Sequence, residues 1–370
     1  MSPGVGRGRR NVDPRALLDP RTSVVGRGER LVRPNRRPTL VGHIVGLTIM
    51  VVGLGVFASG SVDLIEGGAN TVVLLILGLV MSAVGALIWR STITPKQIRV
   101  LDVFTAVTVT WIVIAVAGAV PYVLTGHFVH WDDALFESVS GFTTTGATVT
   151  ADIEAMSHGL LFWRSLSQWM GGMGVIVLVV AVLPTVGSGG MSLMQAEAPG
   201  PTGERLTPRV RETARRLWGV YIGLTVVLGS AYAAAGMSAY DAVSHSFTTV
   251  STGGFSPYQA SLGHFDSAAI EWIAIIGMFL AGGSFTLYYR ALRKDVKPLL
   301  VSTEFRIYVL IVLGTTLWCF VTSGTGDGTS AGFRDSLFTM TSTITTTGYV
   351  TSEYGLWSQA AQALILILLP

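Results

Sequence analysis

The sequence predicts an all-α integral membrane protein made of repeated helix–loop–helix units, with about eight spanning helices and three short re-entrant helices. Three observations predict it. Half of the 370 residues are hydrophobic and only 13% are charged, too little charge to cover a soluble domain of this length. Apolar runs recur at about 41–59, 70–89, 103–124, 160–186, 217–236, 268–289, 305–321 and 356–370, most of them close to the roughly 20 residues that cross a bilayer. Three of the links between runs repeat one Ser/Thr/Gly-rich pattern.

The links alternate in charge. Arg90, Lys96 and Arg99 follow the second run, Arg205, Arg209, Arg211, Arg215 and Arg216 the fourth, and Arg290, Arg293, Lys294 and Lys297 the sixth. The opposite links carry Asp63 and Glu66, then Asp132, Asp133, Glu137, Asp152 and Glu154. Basic links stay in the cytoplasm, so the N-terminus is expected there. Residues 1–40 form a basic arm: ten arginines face three acidic residues, with no apolar period, which reads as a disordered cytoplasmic tail. It has no aromatic residue to stack on bases, so no nucleic-acid partner is expected; anionic lipid suits it better. GVGRGR at 4–9 follows no strand and opens no helix, so it is not a nucleotide fingerprint. Cys319 lies alone in an apolar run and reads as a packing residue. The 44 glycines fall inside the runs as well as between them, which suits close helix packing in a membrane.

The three unusual links align as an internal repeat. DALFESVSGFTTTGATV starts at Asp133, DAVSHSFTTVSTGGFSP at Asp241 and DSLFTMTSTITTTGYVT at Asp335. Each opens on Asp, runs about three helical turns and ends in Thr-Gly; the Asp-to-Gly spacing is 13, 12 and 13 residues. Asp is a good N-cap, so Asp133, Asp241 and Asp335, or a neighbour such as Asp132, are expected to start short helices that descend into the membrane. Their C-termini would carry partial negative charge inward, which favours a cation. The extended stretch that follows could turn carbonyls toward an axis, where they replace an ion's hydration shell. Glycine supplies the backbone freedom that such a stretch needs.

SGFTTTGAT at 140–148, HSFTTVSTGGFS at 245–256 and TTTGYVTSEYGLW at 345–357, with WRSLSQWMGGMGVIV from Trp163 and FLAGGSFTLYYRAL from Phe279, resemble the Trk/Ktr/HKT superfamily of potassium transporters. The likeness is greatest to the bacterial Trk-type membrane subunit and runs from about Leu40 to Pro370. The resemblance implies helix–pore-loop–helix units as in K⁺ channels. It implies two extra helices over 41–101, a first unit over 102–190, a cytoplasmic linker over 191–216, a second unit over 217–298 and a third over 299–370, cut within its last helix. It implies a selectivity filter at Thr144, Thr145 and Gly146, at Ser251, Thr252 and Gly253, and at Thr346, Thr347 and Gly348. It implies K⁺ as the transported ion, no covalently bound cofactor, a homodimer, a cytoplasmic nucleotide-binding regulatory subunit, and the bacterial cytoplasmic membrane. Glycine at position 146 favours K⁺; Na⁺ or mixed transport, or a non-conducting fragment, is the alternative. The family has a fourth unit, so a continuation past Pro370 is expected. Ser358 stands where the family usually has Pro.

Other residues weigh less. His127, His130 and His158 flank the first re-entrant link without metal-ligand spacing, and His245 reads as a brace. Arg164 and Gln168 near the outer end of the fourth run are functional candidates, because polar groups in a membrane seldom lack a role; Glu137 and Glu154 are possible partners. Asp102 and Glu304 read as caps. An intramembrane hydrolase would need paired carboxylates or a Ser/His pair within the helices, and these are nearly absent. A midplane transporter would show inverted repeats, whereas these run in one orientation.

Overall fold

The computed structural model describes residues 37–93, 100–187, 208–322 and 330–368. The expected basic arm, apart from its last residues, and most of the expected linker over 191–216 lie outside them. Helices α1 (Leu40–Ile65) and α2 (Thr71–Ser91) form an antiparallel pair. Glycines set its closeness: Gly46 abuts Trp89, Gly53 abuts Ser82, and Gly60 abuts Leu75, each where a Cβ would collide with backbone. A two-residue parallel bridge ties Arg37–Pro38 to Thr92–Ile93.

Three units follow, each with a helix of 12 to 15 residues after a longer one. The first holds α3 (Val100–Leu124), α4 (Trp131–Phe142) and α5 (His158–Gly187). The second holds α6 (Pro208–Ala234), α7 (Ala239–Val250), α8 (Ala268–Ala281) and α9 (Phe285–Leu292), and α10 (Lys297–Val301) leads on. The third holds α11 (Thr303–Thr322), α12 (Ser330–Ile344) and α13 (Gln359–Leu368). Among the described residues, five helices (α1, α2, α3, α6 and α11) are long and apolar enough to cross a bilayer. Their outer faces present Val72, Leu87, Leu101, Ile112 and Leu310, all exposed, as a lipid-facing surface does.

Three elements differ from the sequence expectation. The run at 268–289 is not one helix: α8 and α9 meet at a bend of 101°. The bend falls at Gly282, Gly283 and Ser284, where the backbone turns without a Cβ in the way and the Tyr308 hydroxyl donates to the Phe279 carbonyl (3.0 Å). Helix α6 starts at Pro208, nine residues ahead of the expected 217, because proline is preorganised for the first helical position. The last apolar run opens on a 3₁₀ turn (Tyr354–Leu356), and α13 begins after it, at Gln359 rather than at the expected 356. The backbone N–H of Ala361 donates to Ser358 Oγ (3.3 Å) at the start of α13.

A buried carboxylate fixes the first unit against the α1–α2 pair. Asp63, 0% exposed, accepts from the N–H of Gly159 (2.7 Å) and of Asn70 (2.9 Å) and from the Thr71 hydroxyl (3.1 Å). An anion at the first turn of α5 also complements the helix dipole. This sets the start of the helix that carries Trp163, Arg164 and Gln168. Trp163 is fully buried and donates to the Gly118 carbonyl (3.1 Å), seating α5 on α3.

Candidate functional site

Each short helix ends in the same backbone figure. The N–H of Thr145 returns to Ser140 O, that of Gly253 to Thr248 O, and that of Thr347 to Ser342 O, each at 2.9 Å. Such a six-residue closure needs a left-handed residue just before it. Thr144 (φ 57°), Thr252 (φ 53°) and Thr346 (φ 58°) provide it, and Gly146 (φ 77°), Gly254 (φ 74°) and Gly348 (φ 81°) are left-handed two residues on. A β-branched residue in this conformation is strained. Three threonines held so, at matched positions, mark one conserved backbone shape used three times within the chain.

This shape corrects the register of the second segment. The Thr-Gly ending aligns Gly253 with Gly146 and Gly348; the backbone aligns Gly254 instead. Measured to Gly254, the spacing from Asp241 is 13 residues, as from Asp133 to Gly146 and from Asp335 to Gly348. Ser251 then matches Thr143 and Thr345, and Gly253 matches Thr145 and Thr347.

The three segments lie side by side. A Cβ on Gly146 would strike the Gly253 carbonyl oxygen, and one on Gly254 would strike the Thr347 carbonyl oxygen. Carbonyls of one segment therefore border the left-handed glycine of the preceding one. The helix C-termini feed directly into this cluster and add partial negative charge to it. The oxygens that border Gly146 and Gly254 are backbone carbonyls, those of Gly253 and Thr347.

Two kinds of contact hold the segments together. Between the first and second, Arg164 Nε pairs with Glu137 Oε1 at 2.7 Å, with side chains 1% and 0% exposed. Glu137 also accepts from the Thr148 hydroxyl (3.0 Å) and the Val149 N–H (3.4 Å), while Arg164 Nη1 donates to Ser256 O (3.2 Å) and stacks 4.1 Å from the Phe255 ring. One turn along α5, Gln168 Nε2 donates to Gly253 O (2.7 Å), and its Oε1 accepts from the Phe255 N–H (3.1 Å). Between the second and third, the Tyr349 hydroxyl bonds with Thr248 and Thr249 and donates to His245 O (3.2 Å). His245 is braced in turn by Asp241 O (2.9 Å) and Ser256 Oγ (3.1 Å).

The TrkH cation transport protein family model matches residues 71–369. The chain belongs to this family. It is similar to the Trk system potassium uptake protein TrkH of Halomonas elongata, 37% identical over 336 residues, covering 89% of this chain and 69% of that protein. It is similar to the Trk system potassium uptake protein TrkG of Escherichia coli, 36% identical over 328 residues, covering 86% and 67%. The crystal structure of the potassium transporter TrkH from Vibrio parahaemolyticus superimposes with a TM-score of 0.78 at 33% identity, covering 89% of this chain and 69% of that one. The TrkH family is one of multi-pass membrane transporters, not enzymes.

In this TrkH-family chain the three aspartates are not the helix caps expected of them. Helix α4 begins at Trp131, which puts Asp133 in its first turn behind His130. Ser238 caps α7: the Asp241 N–H donates to Ser238 Oγ (3.0 Å), and Ser238 Oγ donates to Asp241 Oδ2 (2.7 Å). Asp335 is the sixth residue of α12. Asp133 and Asp241 sit in the first turn, where their charge complements the helix N-terminus as it would at the cap, whereas Asp335 lies beyond the first turn. Arg164 takes Glu137 rather than Glu154, whose Oε1 accepts from the Gln259 N–H (3.2 Å). Asp63 and Tyr349 are the anchors that sequence reading missed. Tyr349 directly follows the third Thr-Thr-Gly, and that adjacency was the available signal.

Proposed function

We propose that the chain carries K⁺ across the bacterial cytoplasmic membrane through a filter of backbone carbonyls, three sides of which are Thr144–Gly146, Thr252–Gly254 and Thr346–Gly348. The observation that carries this is the threefold left-handed backbone shape, brought together so that Gly253 O borders Gly146 and Thr347 O borders Gly254. A dehydrated cation needs several fixed oxygens at once, and neutral carbonyls hold a monovalent ion without trapping it. The names of the relatives, potassium uptake proteins, support K⁺ as the ion.

The same reading assigns Ser251 to the base of the second segment, level with Thr143 and Thr345. It takes residues 41–101 as two extra helices ahead of units at 102–190, 217–298 and 299–370. Arginines after α2, α5 and α9 support a cytoplasmic N-terminus. Family membership supports a homodimer regulated by a cytoplasmic nucleotide-binding subunit.

The test is K⁺ and Na⁺ uptake in cells that lack their own K⁺ uptake, with the chain expressed together with any coding sequence past Pro370. K⁺ uptake that is lost, or opened to Na⁺, in Gly146→Ser and Gly254→Ser supports the filter. A well-expressed protein that carries no cation, even with a cytoplasmic partner supplied, overturns it.

A further inference from the structure

The second segment is not built like its neighbours. In the first, Ser140 Oγ donates forward to Ala147 O (2.6 Å); in the third, Ser342 Oγ donates to Tyr349 O (2.9 Å). Each of these segments is strapped to its own helix. The matched residue in the second, Thr248, turns its hydroxyl back to Ser244 O (3.1 Å) and to Tyr349, so no such strap forms. The first and third segments also carry a hydroxyl pair, Thr143 with Thr145 and Thr345 with Thr347, each at 2.8 Å. In the second those positions are Ser251 and Gly253, and Gly253 has no side chain to pair.

Gln168 fills both gaps. A Cβ on Gly253 would collide with the Gln168 side chain, so the amide lies where the missing threonine side chain would. Its two ends bond the backbone on either side of Gly254, at Gly253 O and at the Phe255 N–H. The Phe255 N–H can meet only an acceptor, which fixes the amide's orientation and leaves its NH₂ for the carbonyl. Gln168 is 0% exposed, so neither bond competes with water.

We infer that Gln168 is a specificity-determining positioning residue: it stands in for the strap the second segment lacks and sets the direction of the Gly253 carbonyl. The inference rests on the filter reading above. Because the clamp comes from α5, it couples the second side of the path to the first unit as well as to its own helix. Selectivity depends on how firmly each carbonyl is held, so loss of the clamp loosens discrimination before it stops flux.

The test uses Gln168→Leu, which keeps the bulk and removes both bonds, and the exchange Gln168→Ala with Gly253→Thr, which moves a side chain from the helix to the segment. KM and Vmax for K⁺ and Na⁺ are measured by uptake, with protein amount checked in the membrane. The expected result is a K⁺-over-Na⁺ preference lowered by about fivefold or more in Gln168→Leu, the worth of a hydrogen bond or two, with a smaller change in Vmax. The exchange variant recovers part of that preference, while Gly253→Thr alone does not. A Gln168→Leu protein present at wild-type amount, with preference and KM within about twofold of wild type, overturns the inference. Should that variant fail to accumulate, the exchange decides: recovered K⁺ preference upholds the role, and its absence overturns it. A wild-type protein that carries no K⁺ removes the filter reading itself, which separates the two failures.

Discussion

The contact between the first and second segments is held by charge, and the contact between the second and third by hydroxyls. Glu137 and Arg164 are both buried, and each also bonds one of the loops they join. Tyr349 does the corresponding work at the other junction with one hydroxyl shared among Thr248, Thr249 and His245 O. A buried ion pair is costly to assemble and more costly to break, because the survivor keeps its desolvation penalty. A neutral hydroxyl network fails gently, one bond at a time. The same backbone shape is therefore held by two devices with different failure modes. The first junction is rigid and intolerant of change, and the second is adaptable.

The sharpest break of this contrast is Glu137→Ala or Arg164→Ala. Either leaves one charge buried and unpaired, at a cost of about 3–5 kcal/mol. The expected outcome is loss of most monodisperse protein after detergent extraction and a clear drop in its melting temperature. The apolar pair Glu137→Leu with Arg164→Met is expected to recover much of that stability, since the desolvation cost goes with both charges. Single variants as stable as wild type would mean that the ion pair holds nothing.

Next in size is the register of the second segment, read as a comparison of two neighbouring alanines. Gly254→Ala puts a Cβ on a left-handed residue (about 1–2 kcal/mol) and drives it into the Thr347 backbone carbonyl, which cannot move without deforming the third segment. Gly253→Ala meets the Gln168 amide, a side chain that can shift where backbone cannot. Uptake is expected to fall much further in Gly254→Ala than in Gly253→Ala. The reverse order would restore the alignment that sequence spacing suggests.

That alignment shows where the sequence stopped being legible. Apolar runs and charge alternation identify the long helices, because span length and lipid contact are properties of local composition. The repeat itself was visible, since each copy needs the same helix, turn and glycine. Its register in the second copy was not, because two adjacent glycines, Gly253 and Gly254, satisfy one pattern and only φ separates them. The break at Gly282–Ser284 was hidden for a related reason. The composition on both sides of it is apolar, and glycine is ordinary in membrane helices. Asp63 looked like one more acidic loop residue, because the N–H groups that bury it come from Asn70 and Gly159, seven and 96 positions away. Arg164 and Gln168 were legible as polar groups out of place, but their partners lie across a tertiary fold and left no local trace.

At the adaptable junction, Tyr349→Phe keeps the ring in its packing and removes three hydroxyl contacts. About 1–2 kcal/mol of stability is expected to go, a smaller drop in melting temperature than for Glu137→Ala, with uptake reduced and not abolished. A loss as large as that of the ion-pair variants would make the two junctions equivalent and remove the contrast.

The smallest expected effect on selectivity belongs to an ion pair that joins the second and third units away from the segments. Arg334 Nε lies 2.5 Å from Glu271 Oε2, but this contact joins the helices α12 and α8 and touches neither segment, and the Arg334 side chain is 23% exposed. Glu271 is only 10% exposed, so Arg334→Gln is expected to cost stability, as the loss of a buried partner does, and yet to leave the K⁺-over-Na⁺ ratio unchanged. This variant separates two accounts of why Glu137 and Arg164 matter. If a buried ion pair counts wherever it sits, Arg334→Gln shifts selectivity as the loss of Gln168 does. If contact with the segments is what counts, selectivity follows Gln168, Arg164 and Tyr349 and ignores Arg334, because only the former three touch the carbonyl-bearing backbone or the residues next to it.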